Sequence, residues 1–238
     1  MSRSARKISS NGVYHVVLHS LEGNLLFNEN DDYEKFSTVI KECVENFGVL
    51  ILAYSFSADT VHLILKTGEE PLSAVVKKIT TKYIFWYNKK YSHSGKLLHD
   101  RYKSEPLESN ERIASAVRYV HSLYGLLNSR NEYNGEQNIA DTKAALRFAT
   151  KAELLKDADE SESFIGEKNY AGKPISDEQV KKILSVDFAC NSPEDVLILS
   201  DDFRQVIISR LHSAGASVRQ ISRLTGIGKN TVERKLKK

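Results

Sequence analysis

Residues 49–56 form a nearly continuous apolar run ending at polar Ser57-Ala58-Asp59, and Val61-His62-Leu63-Ile64-Leu65 follows at once. The two runs read as a buried strand, a turn and the hairpin partner of that strand. Every other segment has to be arranged around this hairpin. Upstream, Val13-Tyr14-His15-Val16-Val17-Leu18-His19 is β-branched and aromatic-rich, a third strand. Between them, Phe36, Val39, Ile40, Cys43, Val44 and Phe47 recur at helical spacing.

Downstream, Glu70-Pro71-Leu72-Ser73 opens a second helix, continued by Val75, Val76, Ile79, Tyr83, Trp86 and Tyr87. A short segment from Arg101 to Leu107 then precedes a third helix, about Ser109 to Leu123. Strand, helix, strand, strand, helix, strand, helix predicts an α+β fold: a ferredoxin-like antiparallel sheet with helices on one face. Tyr83, Trp86, Tyr87 and Tyr91 are assigned to packing ahead of a base-stacking platform, with Tyr87 and Tyr91 still able to present rings to unstacked bases.

Beyond residue 127 the pattern weakens. Residues 128–175 read as an acidic connector, polar from Lys156 to Gly172, with one short helix near Asp141–Ala149. Residues 176–238 read as a helical C-terminal domain. Ser176 and Gln179 form a capping box, and Ser217 with Gln220 a second one. Within 202–238, an amphipathic helix ends at Ala214-Gly215-Ala216. Two short helices follow, joined by the turn Thr225-Gly226-Ile227-Gly228, with Val232 and Leu236 at i, i+4 on the last. This is the plan of a helix-turn-helix.

Net charge becomes informative only when divided along the chain. Residues 203–238 carry nine Lys/Arg against one Glu, while 132–202 carry eight basic and sixteen acidic residues. A basic tail behind an acidic segment fits one end that meets a polyphosphate. Lys229, Asn230, Thr231 and Arg234 are expected near base edges or phosphates, and Arg219 and Arg223 on phosphates. Two cysteines 147 positions apart make neither a disulfide framework nor a zinc site. The absence of a membrane-spanning or signal-like apolar stretch leads to the expectation of a cytoplasmic, nucleoid-associated protein without a membrane partner.

Several stretches resemble the REP-associated branch of the HUH single-strand tyrosine transposases. They are Tyr14-His15-Val16-Val17, Asp32-Tyr33-Glu34-Lys35-Phe36, Ala53-Tyr54-Ser55-Phe56, Val61 to Leu65, Tyr87 to Tyr91, Asp100 to Pro106 and Arg118-Tyr119-Val120-His121. They run in order over residues 1–127, and the helix-turn-helix tail is similar to one that some members carry. The resemblance implies a DNA partner, single-stranded hairpin or duplex or both, and leaves a homodimer open. Arg101, Lys103 and Arg118 would then line a groove for the DNA backbone.

In such enzymes two histidines on one strand face and a polar residue of the tyrosine helix hold a divalent metal. The tyrosine attacks the scissile phosphate and forms a 5′-phosphotyrosine link. Position by position, His62 matches the second histidine and Tyr119 the nucleophile. The first histidine falls on Thr60 and the polar ligand on Leu123. Thr is a poor ligand for Mg²⁺ or Mn²⁺ and Leu is none. The expectation is therefore a transposase-like protein, serving as a DNA-binding regulator, that holds hairpin or repeat DNA with cleavage weak or lost and no tightly bound cofactor. The rival is an active endonuclease using Tyr119 with Mg²⁺ or Mn²⁺. An RNA-binding module is disfavoured, since the strands lack the Gly-rich aromatic pattern of RNA-binding sheets.

Overall fold

A computed structural model describes residues 7–21, 24–99, 101–123, 127–135, 138–159, 161–165 and 174–237. The Asp100 position quoted above, and residues 166–173 of the acidic stretch, lie outside these. Strands β1 (Val13–His19), β2 (Leu50–Ser57), β3 (Thr60–Lys66), β4 (Lys103–Pro106) and β5 (Leu127–Asn128) form an antiparallel sheet in the order β4-β1-β3-β2-β5. The expected hairpin is β2–β3, and it lies at the centre. The register shifts between Ile51 and Ala53, which puts the adjacent Leu52 and Ala53 both toward one side of the sheet.

Helices α1 (Asn30–Phe47) and α2 (Leu72–Tyr91) cover one face. Side-chain alternation sends Tyr14, Val16 and Leu18 of β1 and Val61, Leu63 and Leu65 of β3 to that face, where they meet Phe36, Val39, Ile40, Val75, Val76 and Ile79. Phe27 stacks on Tyr33 at 4.2 Å, and Phe36 meets Phe56 and Tyr83 edge-on. Tyr83 and Tyr87 are buried and donate to the carbonyls of Leu26 and Leu25, so these two aromatic residues of α2 are packing groups, as expected, whereas Phe85 of the same helix is exposed.

The sheet is of the expected antiparallel α+β class, but its helices occupy both faces. Helix α3 (Asn110–Ser122) lies on the face opposite α1 and α2, with Ile113, Ala116, Val117 and Val120 against Leu52, Ala53 and Ile64. The element order alone leaves open which side a crossover takes. What decides here is that the second face of β1 and β3 is also apolar at Val13 and Ile64 and needs cover.

The connector is more structured than its polar composition suggests. A 3₁₀ turn over Ser129–Asn134 and short helices α4 (Thr142–Ala145) and α5 (Lys151–Leu154) continue the second face. Buried Glu132 accepts from Tyr54 Oη and from the amides of Ile139 and Ala140, and Tyr133 donates to the Leu52 carbonyl.

Helices α6 (Asp177–Phe188), α7 (Pro193–Leu197), α8 (Asp201–Ser213), α9 (Val218–Thr225) and α10 (Lys229–Lys235) complete the described chain. Both expected capping boxes, on α6 and α9, are present. Gly226 closes α9 at φ 71°, and its α-carbon lies so near α7 that a methyl group would meet Leu197 Cδ1 at 3.1 Å. Val180, Ile207, Leu211, Ile221 and Val232 are continuous with the core under α1 and α2. A buried ion triad adds to this union. Arg210 of α8 reaches Asp59 of the β2–β3 turn (Nη2–Oδ1 2.8 Å) and Asp187 of α6 (Nε–Oδ2 3.0 Å). Asp187 also accepts the Ala58 amide at 2.7 Å.

Candidate active site and nucleic-acid surface

On the second face of the sheet, strand alternation brings imidazoles together from two neighbouring strands. His62 of β3 lies diagonal to His15 of β1, because Val17 pairs with His62 and His15 with Ile64. His15 Nε2 and His62 Nδ1 are 3.1 Å apart, so one ring donates a hydrogen bond to the other. Both are buried. Burial, then the positive charge of Arg112, pushes the His15 imidazole down to about 3. Burial and the neighbouring His15 likewise depress His62. The pair is neutral at physiological pH.

The Tyr119 ring stands edge-on to both, with centroids 5.8 Å from His15 and 6.0 Å from His62. Two causes put it there. Ser109 caps α3 by accepting from the Arg112 amide, and the Ile113–Ala116–Val117–Val120 stripe fixes the helix rotation over the sheet. The expected nucleophile and the one matched histidine therefore do meet.

The other two expected ligand positions contribute nothing comparable. Thr60 Oγ1 donates to Asp59 Oδ1 at 3.0 Å and lies 3.2 Å from His19 Nδ1, which commits its hydroxyl. Leu123 is the C-cap of α3, its side chain half-buried among apolar neighbours. Among the described residues no three His, Cys, Asp or Glu side chains converge as a metal cage would require. The nearby carboxylate of Glu105 is held by Arg112 at 2.6 Å. Two neutral imidazoles without an anionic oxygen are a poor match for hard Mg²⁺ or Mn²⁺, so these residues do not fit that ion.

His121, two residues past Tyr119, points away: its Nε2 meets Ser129 Oγ at 3.1 Å. Burial lowers its pKa to about 4.

Sequence reasoning missed His15, Arg112, Ser115 and Phe164. Arg112 is the hub of the second face, bound to Glu105, to Glu162 at 3.0 Å and to the Ser163 carbonyl at 2.8 Å. Its guanidinium lies 3.8 Å above the Phe164 ring, and that ring stacks on Tyr119 at 4.9 Å and 19°. Strand alternation could have flagged His15, since 13, 15, 17 and 19 share a face. Nothing in the sequence signals Phe164, which lies 45 positions from Tyr119.

The expected DNA contacts fall into two groups. Arg101 and Lys103 are exposed at β4, and Arg118 is half-buried, donating to Ser115 Oγ at 2.7 Å. On the C-terminal helices, Arg219, Lys229, Asn230 and Arg234 are exposed and Thr231 is half-buried. Arg223 is exposed but paired to Asp177 at 2.7 Å, and Lys229 lies 3.4 Å from Glu233. Lys235, on the same helix, is a structural residue, buried against Asp201.

Residues 8–123, just under half of the chain, match the family model described as "Transposase IS200 like". Among solved structures, the chain is similar to a REP-associated tyrosine transposase bound to a REP hairpin. That match has a TM-score of 0.48 and 12% identity, covering 71% of this chain and 98% of that one. It is also similar to a putative transposase from Deinococcus radiodurans R1, with a TM-score of 0.36 and 16% identity, covering 47% and 90%. No curated protein matches it. Among the described residues, no helix is long and apolar enough to cross a membrane.

Proposed function

We propose that this protein is a transposase-derived DNA-binding protein that recognises hairpin or repeat DNA and no longer cuts it. The observation that carries the reading is the donor set around Tyr119: Thr60 engaged with Asp59, Leu123 apolar, and His62 hydrogen-bonded to His15. Metal-assisted attack by a tyrosine needs a cation to polarise the scissile phosphate, and this set offers one expected ligand of three. DNA recognition is supported by the match to the IS200-like family model and by exposed Arg101 and Lys103 at β4. It is supported further by exposed Arg219, Lys229, Asn230 and Arg234 on the C-terminal helices.

In this reading the α/β part takes single-stranded or hairpin DNA and α9–α10 take duplex, with Lys or Arg on phosphates and Asn230 on a base edge. The host role is that of a DNA-binding regulator in the cytoplasm, associated with the nucleoid.

The test is incubation of labelled hairpin DNA with the full chain and Mn²⁺, followed by denaturing electrophoresis. The expected result is salt-sensitive binding without a covalent adduct. A covalent adduct that Tyr119→Phe abolishes would overturn the loss of cleavage and establish the active-enzyme alternative.

A further inference from the structure

The segment Ser161–Ile165 of the acidic connector crosses directly over the Tyr119 site, and its contacts reproduce those expected of a nucleotide. Phe164 lies flat on the Tyr119 ring at 4.9 Å and 19°, the arrangement of an unpaired base on an aromatic side chain. Its other neighbours are the Arg112 guanidinium at 3.8 Å and, edge-on, His15 at 6.1 Å. The Glu162 carboxylate takes Arg112 Nη1 at 3.0 Å with one oxygen and the Ser115 hydroxyl at 2.5 Å with the other. A carboxylate bridging a guanidinium and a hydroxyl uses the donors that a phosphodiester oxygen pair would use. Arg118 donates to the same Ser115 hydroxyl, so a second cation stands behind the anion position. Ring and anion are two residues apart on one strand of chain, as base and phosphate are on one strand of DNA.

We propose that residues 161–165 are a built-in substitute for single-stranded DNA. Phe164 fills the place of an unpaired base on Tyr119, and Glu162 fills the place of the adjoining phosphate on Arg112 and Ser115. The segment must be displaced before DNA enters, so the acidic connector sets the affinity of the α/β domain for single strands. This rests on the DNA-binding reading above and adds to it a nucleotide subsite (Arg112, Ser115, Tyr119) and its competitor.

The test compares binding of fluorescein-labelled oligothymidine and of a blunt duplex to the full chain and its variants. Glu162→Gln keeps size at a half-exposed position, and Phe164→Leu keeps an apolar group, each checked for folding by circular dichroism. Both are expected to bind oligothymidine about tenfold more tightly, the scale of one stacking or phosphate contact, with duplex affinity unchanged. Asp157→Asn, the same charge change at a fully exposed connector position, is expected to give no such gain. Adding Arg112→Gln to Glu162→Gln is expected to abolish it. If folded Glu162→Gln binds oligothymidine no better than the parent, or no better than Asp157→Asn, while duplex binding persists, the substitute is refuted and the DNA-binding reading stands. If the parent binds neither DNA, both fall. Should Phe164→Leu unfold, Glu162→Gln decides alone.

Discussion

Replacing Arg210 by Met tests whether the C-terminal helices and the sheet form one cooperative structure. The guanidinium is 13% exposed and neutralises Asp59, at 24%, and Asp187, with no side-chain exposure. Removing it strands two carboxylates beside each other. Breaking a buried pair by deleting one partner costs about 3–5 kcal/mol, a large part of the roughly 5–15 kcal/mol of a typical domain. For a chain of this size that corresponds to a fall in Tm of about 6–20 °C.

The loss must also depend on pH. Burial raises the Asp187 carboxyl to about 6 despite Arg210, whereas Arg210 and Thr60 hold Asp59 below its ordinary value against the effect of burial. A carboxyl whose folded pKa is raised stabilises the fold below its unfolded pKa and loses that contribution as pH rises through about 6. Without Arg210 the Asp187 carboxyl rises further, so Arg210→Met should cost more at pH 7.5 than at pH 5.5. Urea unfolding followed by circular dichroism at both pH values measures this. Adding Asp187→Asn should restore roughly 1 kcal/mol or more at pH 7.5. A loss under about 1 kcal/mol, or one equal at both pH values, would refute the reasoning.

Further expectations concern the two faces of the sheet and the tail. His15 and His62 have depressed folded pKa values, so their contribution is present above the unfolded value near 6.5 and is lost as pH falls. At pH 5 the buried neutral imidazole of His15 should cost about 2 kcal/mol, and His15→Gln should flatten the acid limb of the stability profile. Phe36→Ala, in the aromatic cluster under α1, should cost about 3–5 kcal/mol by denaturant titration; a loss near zero would place Phe36 outside the core. Lys229→Ala with Arg234→Ala should weaken duplex binding and shallow its salt dependence by about two phosphates' worth, leaving thermal stability unchanged. An unaltered salt slope would remove α10 from the duplex contact.

The local elements were legible because their causes are local. β-Branched and aromatic content marked 13–19, apolar runs marked the 49–65 hairpin, and capping boxes at Ser176 and Ser217 marked helix starts that the structure repeats. What was not legible depends on neighbours distant in sequence. The placement of α3 on the opposite face follows from which strand faces remained uncovered, and the His15–His62 pair from a register between strands 47 positions apart. Glu132 and Phe164 lie in a stretch whose composition reads as solvated, yet Glu132 is 5% and Phe164 7% exposed. Composition reports an average, and these are two residues whose individual partners (Tyr54 and Tyr119) decide their placement.

The union of the α8–α10 helices with the sheet through one apolar interior and the Arg210 triad has a geometric consequence for any target. On the proposed reading, two DNA-contacting surfaces mounted on a single body would behave as a caliper, so the DNA would have to present its two sites at one distance and one rotational phase. Moving a duplex site by about 5 base pairs turns it to the far side of the helix, whereas about 10 returns it to the same side. A spacer series should therefore show binding that falls and recovers with the helical repeat, and a smooth decline would mean that the heads move independently.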